Sequence, residues 1–315
     1  MAYPFDVSWQ RAPIAHGGGV FFVNSTDTNN KADDPSHGSQ VKPFATWSYA
    51  ISRATANNHD VIYLMPGHAE TIPAAAGVAY NVAGVTTVGL GEGAYRPTFT
   101  FNTSTAASVL ISAANARIRN IVGIPGIADV TQPFDITGND CDLELEWQDA
   151  SAATSARRAV LATSVSRLRL KLKYLSLTTA TKTVNAVQLN GCTHVGLDLD
   201  AYGNPAAWVQ LVSAASSNVK VTGSAYAYGI TDGSAIVRDV VGGSTWSADV
   251  FDMGAGTRLT GGSGAVLAPA SLRSVDVRNV LTSMGLDQVG IDVTQIWLEI
   301  QELQAFMAQE FGEFT

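Results

Sequence analysis

Charge is what this sequence is short of. Asp, Glu, Lys and Arg together make up 15% of its 315 residues, against about 25% in ordinary soluble domains. The charge present sums to -8. Such a chain lacks the basic footprint that holds proteins to nucleic acid by counterion release, so nucleic-acid partners are excluded. No apolar run approaches the ~18 residues of a membrane-spanning helix, and membrane insertion is not expected. The opening MAYPFDVSWQ has neither the basic segment nor the apolar stretch of a secretory signal, so folding in a cytoplasm is expected.

Catalytic and cofactor motifs are missing too. His16-Gly17-Gly18-Gly19 has the letters of an esterase oxyanion loop, but no Gly-x-Ser-x-Gly elbow accompanies it. Gly89, Gly91 and Gly93 lack the third spacing of a dinucleotide fingerprint, and no Gly-Lys-Ser or Gly-Lys-Thr occurs. His16, His37, His59, His68 and His194 show no ligand spacing, and Cys141 and Cys192 cannot make a zinc site alone. Asp27, Asp33 and Asp34 lack the spacing of a calcium loop and read as a solvated turn. No metal, no cofactor and no catalytic residue is therefore expected.

What remains is a hydrophobic, turn-rich chain: 46% hydrophobic residues and 29 glycines, enough for a large core. Residues 1–19 read as an extended arm, with Tyr3, Phe5 and Trp9 as anchoring aromatics and Gly17–Gly19 as a hinge. Val20–Val23 is a short apolar run, and Asn24–Gln40 a loop without periodicity. Phe44, Trp47, Ile51 and Ala54 fall at helical spacing after Pro43, predicting a short helix. Asp60–Gly67 reads as a buried strand closed by Pro-Gly.

An internal repeat follows. Five segments open with an apolar pair: Val109 and Ile111, Phe134 and Ile136, Val160 and Ala162, Val187 and Leu189, Val209 and Leu211. Second strands follow from Arg117, Asp142, Arg167, His194 and Asn218, at offsets of 25, 25, 27 and 24. Those offsets fit the coils of a parallel β-helix, each strand lying about 4.8 Å above its predecessor over a common core. In that register Leu143 and Leu145, Leu168 and Leu170, Val195 and Leu197, and Val219 and Val221 face inward.

The outward residues alternate in sign. Arg117 and Arg119 fall over Asp142 and Glu144, these over Arg167 and Arg169, Glu146 over Lys171, and Lys171 over Asp198. Opposite charges across strands support stacking, and like charges oppose it. The same acids, with the unpartnered Asp200, are the candidates for a glycoside-cleaving pair, but the ladder already explains most of them. Arg157, Arg158, Arg167, Arg169, Lys171 and Lys173 form a basic patch for an anionic glycan or, more simply, a solvated strand face. Cys141 and Cys192 fall two coils apart, about 9.6 Å by strand spacing, beyond the ~7 Å reach of a disulfide. Free thiols are expected. The repeat fades after Gly223, leaving residues 242–264 as irregular coils or a cap.

The end of the chain changes period. Leu286, Val289, Val293, Ile296, Ile300, Leu303 and Met307 alternate at three and four residues, the seam of a coiled coil. A helix from about Asp292 to Gly312 is predicted, with Val293, Ile296, Ile300, Leu303 and Met307 as the interface of a homotrimer. The domain reading is then an arm over 1–19, a parallel β-helix with an N-terminal cap over 20–280, and a trimerisation helix over 281–315.

Three segments carry a resemblance: Pro43-Phe-Ala-Thr-Trp-Ser-Tyr-Ala-Ile51, Asp60-Val-Ile-Tyr-Leu-Met-Pro-Gly67, and Val85-Thr-Thr-Val-Gly-Leu-Gly-Glu-Gly93 with Arg96-Pro97. With the coils downstream, residues 40–240 resemble right-handed, pectate-lyase-like parallel β-helix proteins. The likeness implies an all-β solenoid capped by a short helix. The lyases' calcium carboxylates and catalytic arginine have no matching positions, so no activity carries over. A β-helix followed by a trimerising helix is similar to the spikes and decoration proteins of tailed-bacteriophage virions. The expectation is a non-enzymatic homotrimer, assembled in the host cytoplasm and bound to a capsid or tail protein through Tyr3, Phe5 and Trp9. The alternative is a tail-spike glycanase acting on bacterial surface polysaccharide. A surface adhesin is a third reading, disfavoured by the lack of an export signal.

Overall fold

In the computed structural model the repeat winds into a parallel β-solenoid, described here over residues 18–149, 155–176, 185–203, 205, 207–227, 235–252 and 258–260. Tyr3, Phe5 and Trp9 lie outside the described residues, as do Val293, Ile296, Ile300, Leu303 and Met307. A long sheet stacks β1 (Val20–Val23), β2 (Val61–Leu64), β5 (Thr86–Gly89), β8 (Arg117–Pro125), β10 (Asp142–Asp149), β12 (Ser166–Ser176), β14 (Thr193–Gly203), β16 (Ser217–Ala227) and β18 (Trp246–Asp252). At its side β3 (Ala69–Ile72) pairs with β6 (Thr98–Phe101), which also pairs with β8. A second sheet stacks β4 (Val78–Tyr80), β7 (Val109–Ile111), β9 (Phe134–Ile136), β11 (Arg158–Thr163), β13 (Asn185–Asn190), β15 (Ala207–Leu211), β17 (Ala235–Asp239) and β19 (Arg258–Thr260). Every strand pairing in both sheets is parallel.

The apolar pairs read from the sequence stack as expected: Val109, Phe134, Val160, Val187 and Val209 form one inward column, and Ile111, Ile136, Ala162, Leu189 and Leu211 another. The inward leucines and valines of the long sheet, Leu143, Leu145, Leu168, Leu170, Leu172, Val195, Leu197, Leu199, Val219 and Val221, are buried. Each such side chain contributes about 1.5–3 kcal/mol on leaving water. The repeat also continues past Gly223. Val237 stacks beside Val209, and Trp246 and Ala248 beside Val219 and Val221. Trp246 fills an inward position otherwise held by small aliphatics, which hid that coil from an aliphatic pattern.

One β10–β12 register differs from the charge-based alignment. Asp142 pairs with Arg169, rather than Arg167, and Glu144 with Lys171. The inward phase survives because the slip is two residues. Its cause is a column of left-handed corners leading into the long sheet. His59, Gly84, Asn115, Asp140, Arg167, His194 and Asn218 have φ of 59, 73, 57, 59, 56, 56 and 53°. Each stands two residues before Val61, Thr86, Arg117, Asp142, Arg169, Gly196 and Lys220, which pair in turn across the sheet. Arg167 is therefore a corner residue stacked on Asp140, and its guanidinium donates two hydrogen bonds to that carboxylate. Most non-glycine residues resist this conformation by about 1–2 kcal/mol, while Asn, Asp and His tolerate it best.

The N-terminal end is closed. Helix α1 (Trp47–Arg53) is capped by Thr46, whose hydroxyl accepts from the Tyr49 amide, and it buries Trp47, Ala50 and Ile51. The free edge of β1 is covered by the loop that follows it: Phe22 N donates to Gly38 O, and Phe44 N to Phe22 O. An edge so paired cannot template another chain.

Leu170→Ala is expected to cost about 2–5 kcal/mol, read as a lower urea midpoint. At the corner, Asn115→Gly should leave the midpoint close to wild type while Asn115→Val lowers it, at a cost of about 1–2 kcal/mol in stability.

Candidate functional site

The outer face of the long sheet holds most of the ionisable side chains singled out from the sequence. Alternation along β8, β10, β12 and β14 turns the residues between the core leucines outward, and parallel stacking sets them in rows. Arg117, Asp142 and Arg169 make one row, Glu144, Lys171 and Asp198 the next, and Glu146, Lys173 and Asp200 a third. Asp200, expected to lack a basic neighbour, therefore stands beside Lys173. Arg119 binds Asp142 at 2.6 Å and Glu144 at 3.7 Å, and Lys171 reaches Glu144 at 3.7 Å. The expected neighbours of Glu146 and Glu144 are corrected accordingly: Glu146 pairs with Lys173 in place of Lys171, and Arg169 lies beside Asp142 rather than Glu144.

Glu146 is the buried member of this array, 3% exposed. Arg96 binds it at 2.7 Å and Lys173 at 3.4 Å, and the Gln148 amide donates to its other oxygen. Burial by itself would push the carboxyl up, but Gln148, Arg96 and Lys173 together hold it below the usual carboxylate value. A glycosidase acid needs the opposite, a carboxyl kept protonated near neutral pH. The Glu146 cluster is built to keep a charge in place, and the ladder around it to neutralise rows. Arg96 was not legible as a partner: it sits in the turn between β5 and β6, 50 residues upstream of Glu146.

The remaining patch residues separate. Arg157 is exposed and Arg158 half-buried at the start of β11, away from the ladder. Desolvation, together with the neighbouring Arg157, lowers the Arg158 guanidinium, and Asp135 works against them. Asp135, half-buried on β9, is raised by desolvation against a hydrogen bond from Gln132 and the charge of Arg158.

Two buried polar clusters had no sequence signal. His68 is 1% exposed; its Nδ1 accepts from Ser25 N at 3.0 Å and its Nε2 faces Glu70 at 3.2 Å. Glu70 also accepts from the Trp47 amide. Ser25, His68 and Glu70 have the residue types of a hydrolase triad but the wrong geometry, because the Ser25 hydroxyl donates to Ala69 O and not to the imidazole. The group ties the loop after β1 to the start of α1. Asp149, fully buried, accepts from Trp147 Nε1 at 2.8 Å and from the Tyr174 hydroxyl at 3.0 Å.

The acidic loop behaves as a set of turns. Asp27 accepts from the Asn29 and Asn30 amides, Asp34 from Ser36, and Asp33 from Ala45 N, Thr46 N and the Thr46 hydroxyl. Among the described residues, no group of three or more His, Cys, Asp or Glu side chains is placed to hold a metal ion. Cys141 and Cys192 are both buried and free, and burial pushes the Cys141 thiol up to about 11.

Glu146→Gln is expected to lower stability at neutral pH by about 2 kcal/mol. A depressed carboxylate stabilises the fold above its unfolded value of about 4.3, and this contribution is lost as pH falls through the lower folded value. The gap between wild type and Glu146→Gln in thermal melts should therefore narrow on acidification below about pH 4.3. Iodoacetamide should leave Cys141 and Cys192 unmodified in the native protein and label both after denaturation without reductant, read by mass. Comparisons with protein-family models, with curated proteins and with solved structures gave no match to this chain.

Proposed function

We propose that this chain is a non-enzymatic structural protein of a tailed-bacteriophage virion: a homotrimeric, right-handed, pectate-lyase-like β-helix that serves as a spike or decoration protein. In this reading Tyr3, Phe5 and Trp9 anchor it to a capsid or tail protein. Val293, Ile296, Ile300, Leu303 and Met307 join three copies, and assembly takes place in the host cytoplasm.

The observation that carries the proposal is the self-neutralised outer face of the long sheet. Its acids and bases alternate across the strands in rows, and Gln148, Arg96 and Lys173 hold Glu146 below the usual carboxylate value. A face organised this way supports a rigid projecting rod, since stacked coils with paired outer charges resist slippage. The glycanase reading keeps one foothold in Asp135, a half-buried carboxyl that desolvation raises. Its hydrogen-bonding side chain is Gln132, and cleavage of a glycoside needs a second carboxyl about 5–9.5 Å away.

The full-length protein is expected to have a solution mass near three times 33.0 kDa by light scattering. Deleting residues 1–19 should abolish its co-sedimentation with phage particles without changing that mass; unchanged attachment would sink the anchoring role. Incubation with host surface polysaccharide should release no reducing sugar. Release that disappears in Asp135→Asn would move the assignment to the glycanase.

A further inference from the structure

The outer face of the long sheet changes character between β5 and β8. From β8 onward its outward rows are built largely of charge. On β1, β2 and β5 the same rows carry none: Val20, Val61 and Thr86 lead to Arg117, and Phe22, Tyr63 and Val88 lead to Arg119. Met65 and Leu90 add one more outward pair, their amides donating to Val23 O and Leu64 O. These eight positions hold no Asp, Glu, Lys or Arg. Val20 is 48% exposed, and Phe22, Tyr63, Met65, Val88 and Leu90 are half-buried. A contiguous apolar surface on a face that is otherwise charged marks a place where something packs.

The size of the patch argues against a folded partner. Strand spacing and the two-residue repeat give each outward position about 32 Å² of sheet, so the patch covers about 250 Å². A stable interface between folded proteins takes about 800 Å² from each side. One extended segment of a few residues fits the smaller area.

The chain itself carries such a segment. Tyr3, Phe5, Val7 and Trp9 alternate with Pro4, Asp6, Ser8 and Gln10. An extended backbone would set all four on one side at intervals of about 6.6–6.8 Å, which is also the spacing of outward rows along a strand. The segment is tethered beside the patch. Gly18, where the described residues begin, comes two residues before Val20, and Gly19 N donates to the buried Asp60 carboxylate, which fixes the point of entry into β1. Gly18 follows Trp9 by nine residues, a reach of about 30 Å. Three strands are only about 10 Å across. A tether this short makes the packing intramolecular, at an effective concentration on the order of millimolar.

We propose that the apolar outer face of β1, β2 and β5 seats the period-two apolar side of residues 3–9 of the same chain. Particle anchoring through Tyr3, Phe5 and Trp9 then begins with release of this cover, but the seat needs no particle and is tested without one.

The test reads the full-length chain in two ways. In hydroxyl-radical footprinting followed by peptide mass, Tyr63, Met65 and Leu90 are expected to be modified several-fold faster in Phe5→Ser/Trp9→Ser than in wild type, with the exposed Tyr202 of β14 as the unchanged reference. Equal rates in the two proteins overturn the seat. In Ser8→Cys/Val88→Cys, a short bismaleimide should join the two cysteines within one chain, linking their tryptic peptides while the denatured band stays at 33.0 kDa. Wild type controls for the buried Cys141 and Cys192. A band at twice that mass, given by the pair and by neither single variant, places the segment on a neighbouring copy and overturns the own-chain seat. No link of either kind overturns it as well. The anchoring role stands or falls separately, on co-sedimentation with particles.

Discussion

Parallel stacking imposes one constraint on everything else in this molecule: whatever stands at a position in one coil stands about 4.8 Å from its equivalent in the next. A column can be apolar, and it then becomes core. It can alternate in charge, and it then neutralises itself. It can be of one charge only at a continuing electrostatic cost. The inward columns beginning at Val109 and Ile111 and the outward row Glu144, Lys171, Asp198 are two answers to the same spacing.

The constraint extends to the backbone. Seven successive coils turn into the long sheet through a left-handed residue, and only one of the seven is glycine. Stacking the corners is what sets the register, and side-chain charge adjusts to it. Arg167 demonstrates the order of precedence: placed at a corner, it pairs with Asp140 in its own column and gives up the place in the ladder that its charge would suit.

The columns also set the electrostatics of their members: Glu146, in a row of alternating charge beside Lys173 and bound by Gln148 and Arg96, is held below the usual carboxylate value. On the short sheet the outward row Leu161, Gln188 and Gln210 is uncharged, and Gln210 accepts from the buried Asn185 amide.

Much of the solenoid was legible because period-two alternation and coil length are written in consecutive residues. The inward phase from Leu143 to Val221, the buried strand within Asp60–Gly67, the short helix around Trp47 and the free thiols were all open to that reading, whereas Val20–Val23 read only as an apolar run and folds as β1. Other features were not. Arg96 beside Glu146, His68 between Ser25 and Glu70, and Asp149 under Trp147 and Tyr174 join separate coils or segments, with no periodic signal to announce them. The two-residue register shift at β12 escaped for a related reason: hydrophobic phase repeats every two residues, so it is blind to a slip of two. Alternation by itself therefore determined which side chains face the core. Only the folded coil, by stacking left-handed corners whose φ no local pattern reveals, decided which charge rests on which.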